Sequence, residues 1–573
     1  MHPTAALRPD ADFASTTRLA STPCRWLLLL ASFWIAGCAS LPSDVDRPVS
    51  SALANPAETR LGQLVAARAA KAGTRNDSGF ALVGNAELAF TSRMTLIRAA
   101  QKTLDIQYYA IFADDTTERL FVALREAAAR GVRVRILLDD FNTSGKNAQV
   151  LKLAFEKNIE LRLFNPLPGG RGPLALRILS NLNDVGRIQR RMHNKIFVAD
   201  NAVAITGGRN LGETYFGQSE GTNFVDIDVL AAGRIVRDLS VSFDQYWNNP
   251  LAYPVESLMT LKEIETIKTK PAPATQPANT PEQPAPAATP DSSAKVNAVN
   301  ATTLERVVTS PDGAATTLPA LPDSTDLSAL SWTWAPSAML VDKPSKIAAD
   351  ADTVDDAQDT TVDGLLQLMA QANTDLLIVS PYFVPGQRMM SQFAELRRRG
   401  VRVRVLTNSL ASNDAVAAHA GYARYREALL GMGIEMYEMR SEQASSLGSM
   451  GSGVGGSRGS STGSSRASLH AKVVVMDERI LVVGSMNLDL RSKLQNSEVA
   501  LVIRSRALSH EAARMIEPAL ASGAYRVEQV GGQLVWRAPQ GSQLKDATTE
   551  PDASVGLKLL LKLLGPLAPD EML

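Results

Sequence analysis

The sequence predicts an α/β protein made of two tandem lobes, and three observations carry this prediction. Helix-like and strand-like patterns alternate along the chain, their order is repeated in both halves, and each half contains the same polar motif. In the first half, the strand-like stretch 103–111 precedes helical spacing over 120–130 and an alternating strand over 132–138. Strands that alternate with helices predict βαβ units and a mostly parallel sheet.

The second half repeats the order of the first. Residues 376–383 match the first strand, and residues 399–405 (RGVRVRV) nearly copy residues 130–136 (RGVRVRI). Such a run also occurs in other proteins where a helix ends before a strand, but here the same two segments precede the same motif in both halves. We therefore interpret the chain as a tandem duplication of one α/β unit.

The polar motif has six fixed or nearly fixed positions. Its first copy is HNKIFVAD at 193–200, followed six residues later by GGRN at 207–210; its second is HAKVVVMD at 470–477, followed by GSMN at 484–487. Both copies fit H-x-K-x4-D-x6-G-[GS]-x-N, a pattern expected by chance at roughly one start in a million. Apolar β-formers separate the polar positions, so each motif is predicted to lie on a strand.

The residue types of the motif suit attack on a phosphodiester. Positions i and i+2 of a strand share a face, so each histidine projects beside the lysine of its own motif. Two histidines can supply a nucleophile and a proton donor, while two lysines neutralise the charge that develops on the phosphate. The candidate catalytic residues are His193, Lys195, Asp200, His470, Lys472 and Asp477. The candidate phosphate-binding residues are Asn210, Ser485 and Asn487.

The paired motifs resemble the double HKD signature of the phospholipase D superfamily. Stretches around them are similar to bacterial cardiolipin synthases of the C type and to phospholipase D-like lipoproteins. These stretches are LDIQYY at 104–109, RMHNK at 191–195, GGRNLGETYFG at 207–217, TNSL at 407–410 and HAGYARYR at 419–426.

The resemblance implies two α/β/α lobes related by a pseudo-twofold axis, with one active site shared between them. It implies a phosphatidyltransferase that forms cardiolipin by transferring a phosphatidyl group to phosphatidylglycerol through a phosphohistidine, with His193 as the nucleophile. Phosphatidylglycerol is the implied substrate, and phosphatidylethanolamine is a candidate donor. No metal or other cofactor is implied, and no protein partner is predicted.

Each histidine of such a site needs an acid that fixes its tautomer and orientation. Glu498 fits the family's position for this acid. In the first half Asp226 is the stronger candidate and Asp228 is the alternate. Asp200 and Asp477 complete the signature, but we expect both to be structural rather than catalytic.

Three other functions stay open. The same intermediate resolved by water would make the chain a phospholipase D that releases phosphatidic acid. A nuclease is a weaker alternative, and no nucleic-acid partner is expected: 59 basic and 59 acidic residues give a net charge of zero, without the basic excess of polyanion binders. A non-enzymatic scaffold is least favoured, because the catalytic positions are all present.

The N-terminus has the pattern of an export signal. Arg18 and Arg25 precede an apolar run at 26–36, which is too short to span a bilayer and leads into the sequence IAGC. This ending resembles the bacterial lipobox. It implies removal of residues 1–37, lipidation of Cys38 and a membrane-anchored protein of the bacterial cell envelope that faces the periplasm. A plain secretory peptide or a buried apolar segment is the alternative.

Composition indicates where the tether, the linker and the two lobes lie in the rest of the chain. Residues 38–79 are small and polar, and they are predicted to form a tether. The segment 259–328 is rich in Pro, Ala and Thr, and it is predicted to be a disordered linker. The two lobes then occupy residues 80–258 and 329–545.

Two further segments have open roles. The Ser/Gly-rich stretch 441–468 is either an idle insertion in the second lobe or a mobile lid over the site. The tail 546–573 contains a leucine-rich amphipathic helix, which is either docked on the second lobe or in contact with a membrane. Outside the motifs, His419 is a histidine without a predicted role.

Overall fold

A computed structural model of the chain describes residues 40–267, 306–309, 315–318, 322, 324–327, 329–348, 360–441 and 466–564. The elements reported below belong to one unit, Pro42–Leu573. The predicted signal peptide, Cys38, most of the predicted linker and most of the Ser/Gly-rich stretch lie outside the described residues. Their assignments therefore stay predictions.

Two nine-stranded sheets form the framework of this unit. The described strands are β1 Ser78–Val83, β2 Thr103–Tyr108, β3 Arg133–Asp139, β4 Ile159–Phe164, β5 Ile196–Ala199, β6 Val203–Gly207, β7 Thr222–Val225, β8 Asp228–Ala232, β9 Ala252–Pro254, β10 Arg306–Thr309, β11 Ala315–Leu318, β12 Thr333–Ala335, β13 Ser337–Val341, β14 Asp375–Val379, β15 Arg402–Asn408, β16 Glu435–Met439, β17 Arg466–Leu469, β18 Val473–Met476, β19 Ile480–Gly484, β20 Val499–Arg504, β21 Ala524–Val530 and β22 Gln533–Arg537.

Helices connect many of these strands, as the alternating pattern predicts. The described α-helices are α1 Arg60–Lys71, α2 Ala86–Ala99, α3 Asp115–Ala129, α4 Leu174–Ser180, α5 Val185–Gln189, α6 Arg234–Trp247, α7 Val255–Leu258, α8 Leu261–Ile267, α9 Ser345–Ala348, α10 Thr361–Met369, α11 Gly386–Arg398, α12 Val416–Gly431, α13 Leu490–Leu494, α14 Arg506–Pro518 and α15 Val555–Leu564. A long 3-10 helix, Gly145–Phe155, connects β3 to β4.

The two sheets have the same topology over eight of their nine strands. The first has the order β12-β1-β8-β6-β5-β2-β3-β4-β9, and the second has the order β13-β20-β19-β18-β14-β15-β16-β21-β22. Eight successive strands correspond, from β1 to β9 in one sheet and from β13 to β21 in the other, and each corresponding pair has the same relative direction. This correspondence confirms the predicted α/β class and the duplication.

The prediction of mostly parallel sheets is wrong, because both sheets are mixed. Among the described strands of these sheets, parallel pairing is confined to β2-β3-β4 and β14-β15-β16. The motif strands instead form antiparallel hairpins, β5 with β6 and β18 with β19. Three residues join the two strands of each hairpin. A connection of this length is too short for the crossover that a parallel pair requires.

Three predicted boundaries need correction. The segment 38–79 is not only a tether, because α1 lies within it and buries Leu61 in the first core. The predicted linker 259–328 begins with α8, whose Ile264 is buried in the same core. Strand β12, predicted in the second lobe, pairs with β1 of the first sheet. Composition did not predict these elements, because each segment contributes only a few apolar residues to the fold.

The lobes meet through a shared apolar core. One buried cluster contains Ile196 and Val198 of β5 together with Val473 and Val475 of β18. Strand β7 of the first lobe also pairs in parallel with β17 of the second. Main-chain hydrogen bonds and apolar packing therefore fix the motif strands of the two lobes against each other.

The tail is joined to the second lobe. Glu550 is buried and forms an ion pair of 2.9 Å with Arg426, and its other oxygen lies 3.4 Å from Nε2 of His419. His419 is therefore part of a buried polar cluster that joins the tail to the second lobe. Helix α15 contacts α12, while Leu559 and Leu563 stay exposed. None of the helices in the described ranges is long and apolar enough to cross a membrane.

Candidate active site

Both motif histidines line one cavity of about 330 Å³. His193 lies just before β5 and His470 just before β18, at equivalent ends of the two hairpins. The side chains are almost buried, with 8% of His193 and 6% of His470 exposed. The two lobes therefore share one site, as predicted.

Cross-lobe main-chain bonds hold each histidine in this position. The amide of His193 donates to the carbonyl of Ser497 in the second lobe (2.9 Å), and the amide of His470 donates to the carbonyl of Val225 in the first lobe (2.8 Å). The second contact continues the pairing of β7 with β17, which ends at Val225 and Leu469. The separation of the histidines is thus set by the backbone of both lobes.

Each histidine binds the acid of the opposite lobe. Nδ1 of His193 lies 2.9 Å from Oε2 of Glu498, and Nδ1 of His470 lies 2.8 Å from Oδ2 of Asp226. The structure therefore brings both candidate acids to the site, each crossing to the other motif. The alternate candidate Asp228 instead pairs with buried Arg93 at 2.9 Å, so it does not orient a histidine.

The protein environment favours the neutral form of both imidazoles. Burial lowers the pKa of His193 to about 4 despite the Glu498 carboxylate, and it lowers the pKa of His470 well below the usual value. The pKa of Glu498 is lowered, because the interactions with His193 and Lys195 outweigh the effect of burial. An ionised carboxylate can only accept a hydrogen bond, so Nδ1 of His193 carries the proton and Nε2 has the free lone pair.

Each lysine of the motif is fixed to its own histidine. Nζ of Lys195 donates to the His193 carbonyl (2.7 Å), and Nζ of Lys472 donates to the His470 carbonyl (2.6 Å). Lys472 borders the cavity, whereas Lys195 is buried and does not. Burial lowers the pKa of Lys195 to about 7 and that of Lys472 to about 8. An anionic phosphate would favour the charged form of both.

Ser485 was predicted to bind phosphate, and the structure gives it a different role. Its hydroxyl donates to Oε2 of Glu498, and Ser492 donates to the other carboxylate oxygen at 3.0 Å. Ser485 therefore fixes an acid rather than a substrate. In the first half, a Cβ at Gly208 would lie 2.5 Å from Oδ2 of Asp226. Because Gly208 has no side chain, it leaves space for Asp226, the acid that takes the role of Glu498 in this half of the site.

The two predicted asparagines both border the cavity. Nδ2 of Asn210 donates to the hydroxyl of Tyr215 (2.9 Å), and its Oδ1 accepts from the amide of Ala110 (3.3 Å). The buried Oδ1 of Asn487 has no hydrogen-bond partner among the described residues. Asn487 is therefore the more available of the two for a substrate.

Asp200 and Asp477 are not catalytic residues, although they belong to the signature. Both lie in the hairpin turns with positive φ of 52°, and the residue after each also has positive φ (49° and 50°), as the two central residues of a type I′ turn do. The Asp200 carboxylate accepts from the amides of Gln101, Lys102 and Thr103 at 2.8–2.9 Å. Asp477 accepts from the amides of residues 373–375 in the second lobe. Each aspartate therefore ties its hairpin to the neighbouring strand.

Replacing Asp200 with asparagine is expected to lower stability much more than activity. The asparagine loses the ionised acceptor of three amides, and we expect the free energy of unfolding to fall by about 1–3 kcal/mol. Urea unfolding would measure this loss, and kcat of the folded variant should stay within about threefold of the wild type. A kcat loss as large as that of a histidine variant would contradict the structural role.

Several cavity residues were not predicted from the sequence. The rings of Tyr109 and His193 are 5.0 Å apart, and those of Tyr215 and His470 are 5.2 Å apart, both edge to face. Both tyrosines lie in stretches that carry the family resemblance, which was the available signal. Asp489 also borders the cavity, and burial raises its pKa to about 7. Its role as the N-cap of α13 gave no sequence signal of a site.

The described residues contain no group of three or more His, Cys, Asp or Glu side chains placed to hold a metal ion.

Two segments of the chain, 94–247 and 365–519, match the family described as cardiolipin synthase, phospholipase D-like (PLD-like) domain. The chain belongs to this family. Each match covers most of one lobe and one copy of the motif, so the family assignment and the duplication rest on the same two segments. The predicted resemblance to the phospholipase D superfamily is confirmed.

Individual relatives agree with this assignment. Cardiolipin synthase C of Escherichia coli (strain K12) is 36% identical to this chain over 430 residues, which are 74% of this chain and 80% of the relative. An uncharacterized protein of Helicobacter pylori is 29% identical over 93% of this chain and 97% of its own length. The crystal structure of phosphatidylserine synthase from Haemophilus influenzae is similar in fold, with a TM-score of 0.52 at 13% identity over 88% of this chain and 98% of the other.

Proposed function

We propose that the protein is a phosphatidyltransferase that forms cardiolipin from phosphatidylglycerol through a phosphohistidine intermediate. One observation carries the proposal: two histidines, each bound to an acid of the opposite lobe and to a lysine, line a single cavity. The 36% identity to a protein named cardiolipin synthase C supports the substrate class.

In the first step, Nε2 of His193 attacks the phosphorus of the donor phospholipid. A P–N bond forms and the P–O bond to the headgroup alcohol breaks. His470 enters this step as an imidazolium that has taken a proton from solvent, a form that the anionic phosphate favours; it gives its Nε2 proton to the leaving oxygen and becomes neutral. Glu498 supports His193 as the nucleophile, because its lowered pKa keeps a negative charge beside the imidazolium that the P–N bond creates. The lysines hold the charge on the phosphate oxygens.

In the second step, His470 acts as a base. It takes the proton from a glycerol hydroxyl of phosphatidylglycerol, whose oxygen attacks phosphorus while the P–N bond breaks. The products are cardiolipin and free His193. Burial of both histidines supports transfer to an alcohol, because water has limited access to the intermediate.

A lipid product assay tests the proposal directly. The purified protein would be incubated with phosphatidylglycerol alone, phosphatidylethanolamine alone, or the mixture, and the products would be measured by mass spectrometry against the His470→Ala variant. Cardiolipin above this control is the expected result, and the mixtures identify the donor. Phosphatidic acid without cardiolipin would overturn the transferase and indicate a phospholipase D.

Activity is expected to decline as pH rises above neutrality. The lysines have pKa values of about 7 and 8 in the folded protein, so alkaline pH removes the cations that bind the phosphate. We expect kcat/KM, which reports the free enzyme, to fall by up to about tenfold per pH unit above pH 8. The variant Lys195→Arg keeps its charge, so its alkaline decline should be shallower. A flat profile from pH 6 to 9 would contradict this assignment.

The same lysines should make stability rise with pH. Their pKa values in the folded chain lie below the usual 10.5, so the unfolded chain binds more protons between about pH 7 and 10.5. Their contribution to the free energy of unfolding therefore increases across that window.

We also propose that Cys38 anchors the protein to a membrane of the bacterial cell envelope, facing the periplasm. The apolar run at 26–36 and the IAGC ending support this. Labelled palmitate should enter the wild-type chain but not the Cys38→Ser variant, and labelling of both would contradict the assignment.

A further inference from the structure

The segment between β4 and the first motif exposes an unusual amount of apolar surface. Leu176 and Leu179 lie on α4, Leu182 in the turn that follows it and Val185 at the start of α5, so the four recur at every third residue. Their exposed fractions are 62%, 56%, 53% and 47%. We call these four residues the leucine stripe. Single exposed leucines are ordinary in soluble proteins, but a contiguous row marks a contact surface.

The stripe is exposed because buried contacts on the opposite side of α4 fix the orientation of this segment. Arg177, on the opposite side of α4, is buried and forms an ion pair with the buried carboxylate of Asp140. Asn181 is also buried and donates to the carbonyls of Arg177 and Pro168. The inner side of the segment is thus held on the lobe while the stripe faces outward.

The segment that carries the stripe continues to the active-site cavity. A guanidinium nitrogen of Arg491, which lines the cavity, donates to the carbonyl of Gln189 at the end of α5 (3.3 Å). The chain then continues through Arg191 directly into His193. A surface that covers the stripe would therefore adjoin the site where the donor phosphate is attacked.

The partly exposed arginines beside the stripe and the cavity near it indicate what covers the stripe. Residues 165–191 contain five arginines, but Arg171, Arg177 and Arg191 are buried and ion-paired with Asp139 and Asp140. Arg187 and Arg190 are partly exposed, and Arg187 also pairs with Asp184 at 2.9 Å. Exposed leucines next to partly exposed arginines, near a cavity proposed to bind a phospholipid, match the interface of a membrane that contains anionic phospholipid.

We propose that the leucine stripe docks on the surface of an anionic phospholipid bilayer and so places the cavity beside membrane-embedded substrate. The inference deepens the proposed function and rests on it for the identity of the substrate. Docking can nevertheless be tested independently of catalysis, because insertion of the stripe into lipid needs no turnover.

A fluorescence experiment tests insertion without catalysis. The variant Leu179→Trp, made in the full chain, would be added to phosphatidylglycerol vesicles that contain brominated lipid, with the unsubstituted chain as background. We expect quenching of the introduced indole. The control is Val241→Trp, a position on α6 that is 58% exposed and should not be quenched. Equal quenching at both positions, or none at position 179, would overturn the proposal. Self-association of the chain through the stripe, seen by light scattering, would also overturn it.

A kinetic experiment tests the consequence for the substrate. The double variant Leu176→Ser, Leu179→Ser should lose about tenfold or more in activity on phosphatidylglycerol vesicles. Its activity on monomeric short-chain phosphatidylglycerol should stay within about twofold of the wild type. Val122→Ser and Val241→Ser are matched controls at exposed valines elsewhere. An equal loss on both substrates would contradict docking. If quenching occurs and no lipid product forms in any variant, the proposed reaction fails and the docking stands.

Discussion

Replacing either His193 or His470 with alanine is expected to reduce turnover by at least about 10⁴-fold. The first substitution removes the nucleophile and the second removes the proton donor, and the shared cavity contains no other imidazole among its described lining residues. Lipid product formation over hours, with enzyme in excess, would measure the residual rate. Thermal unfolding of each variant is the control, because a folded but inactive variant shows that the loss is chemical.

The same variants test the assignment of roles. With phosphorus-labelled donor lipid, His470→Ala should accumulate labelled protein, because the intermediate forms slowly but has no base to resolve it. The variant His193→Ala should remain unlabelled. Labelling only in His193→Ala would reverse the two roles. Substantial turnover by either variant would contradict a single site that needs both lobes.

The second large effect is expected from the two acids. We expect Glu498→Gln and Asp226→Asn each to lower kcat by about 10²–10⁴-fold, because an amide no longer holds its imidazole in the productive tautomer. The amide side chains have nearly the same size and shape as the carboxylates that they replace, so the fold should be retained. Steady-state kinetics would measure the loss. Ser485→Ala is a graded control, since it removes one hydrogen bond from Glu498 and leaves the carboxylate in place.

The structure makes a sharper claim about these acids, because each acts on the histidine of the other lobe. In Glu498→Gln, nitrogen NMR of the imidazoles should show a changed tautomer for His193 and an unchanged His470. Asp226→Asn should give the reverse. A change in the histidine of the same lobe would contradict the observed pairing of Glu498 with His193 at 2.9 Å.

Much of the candidate site follows from local sequence. The histidine and the lysine of each motif are two positions apart, and the structure places both pairs directly before a strand, β5 or β18. The turn aspartates follow too, because Asp200 and Asp477 occupy positive-φ positions that suit Asp. These properties depend on neighbours within a few residues, so the motif alone determined the candidate catalytic groups, the duplication and the family.

Hydrophobic periodicity does not predict whether neighbouring strands pair in parallel or antiparallel. Alternating apolar residues indicate a strand and its buried face, but they do not identify its partner. Here the short turns of β5-β6 and β18-β19 insert antiparallel hairpins beside β2 and β14. The expectation of a mostly parallel sheet failed for this reason.

Only the tertiary structure decided which groups work together. His193 and Glu498 are 305 residues apart, and His470 and Asp226 are 244 apart. Their pairing depends on the packing of two lobes, which no local pattern contains. The same packing assigns Ser485 to an acid instead of a phosphate and buries the lysines enough to lower their pKa values. The sequence by itself determined the reactive groups, because these are local chemistry; the tertiary structure determined their partners and charge states, because these depend on distance and burial.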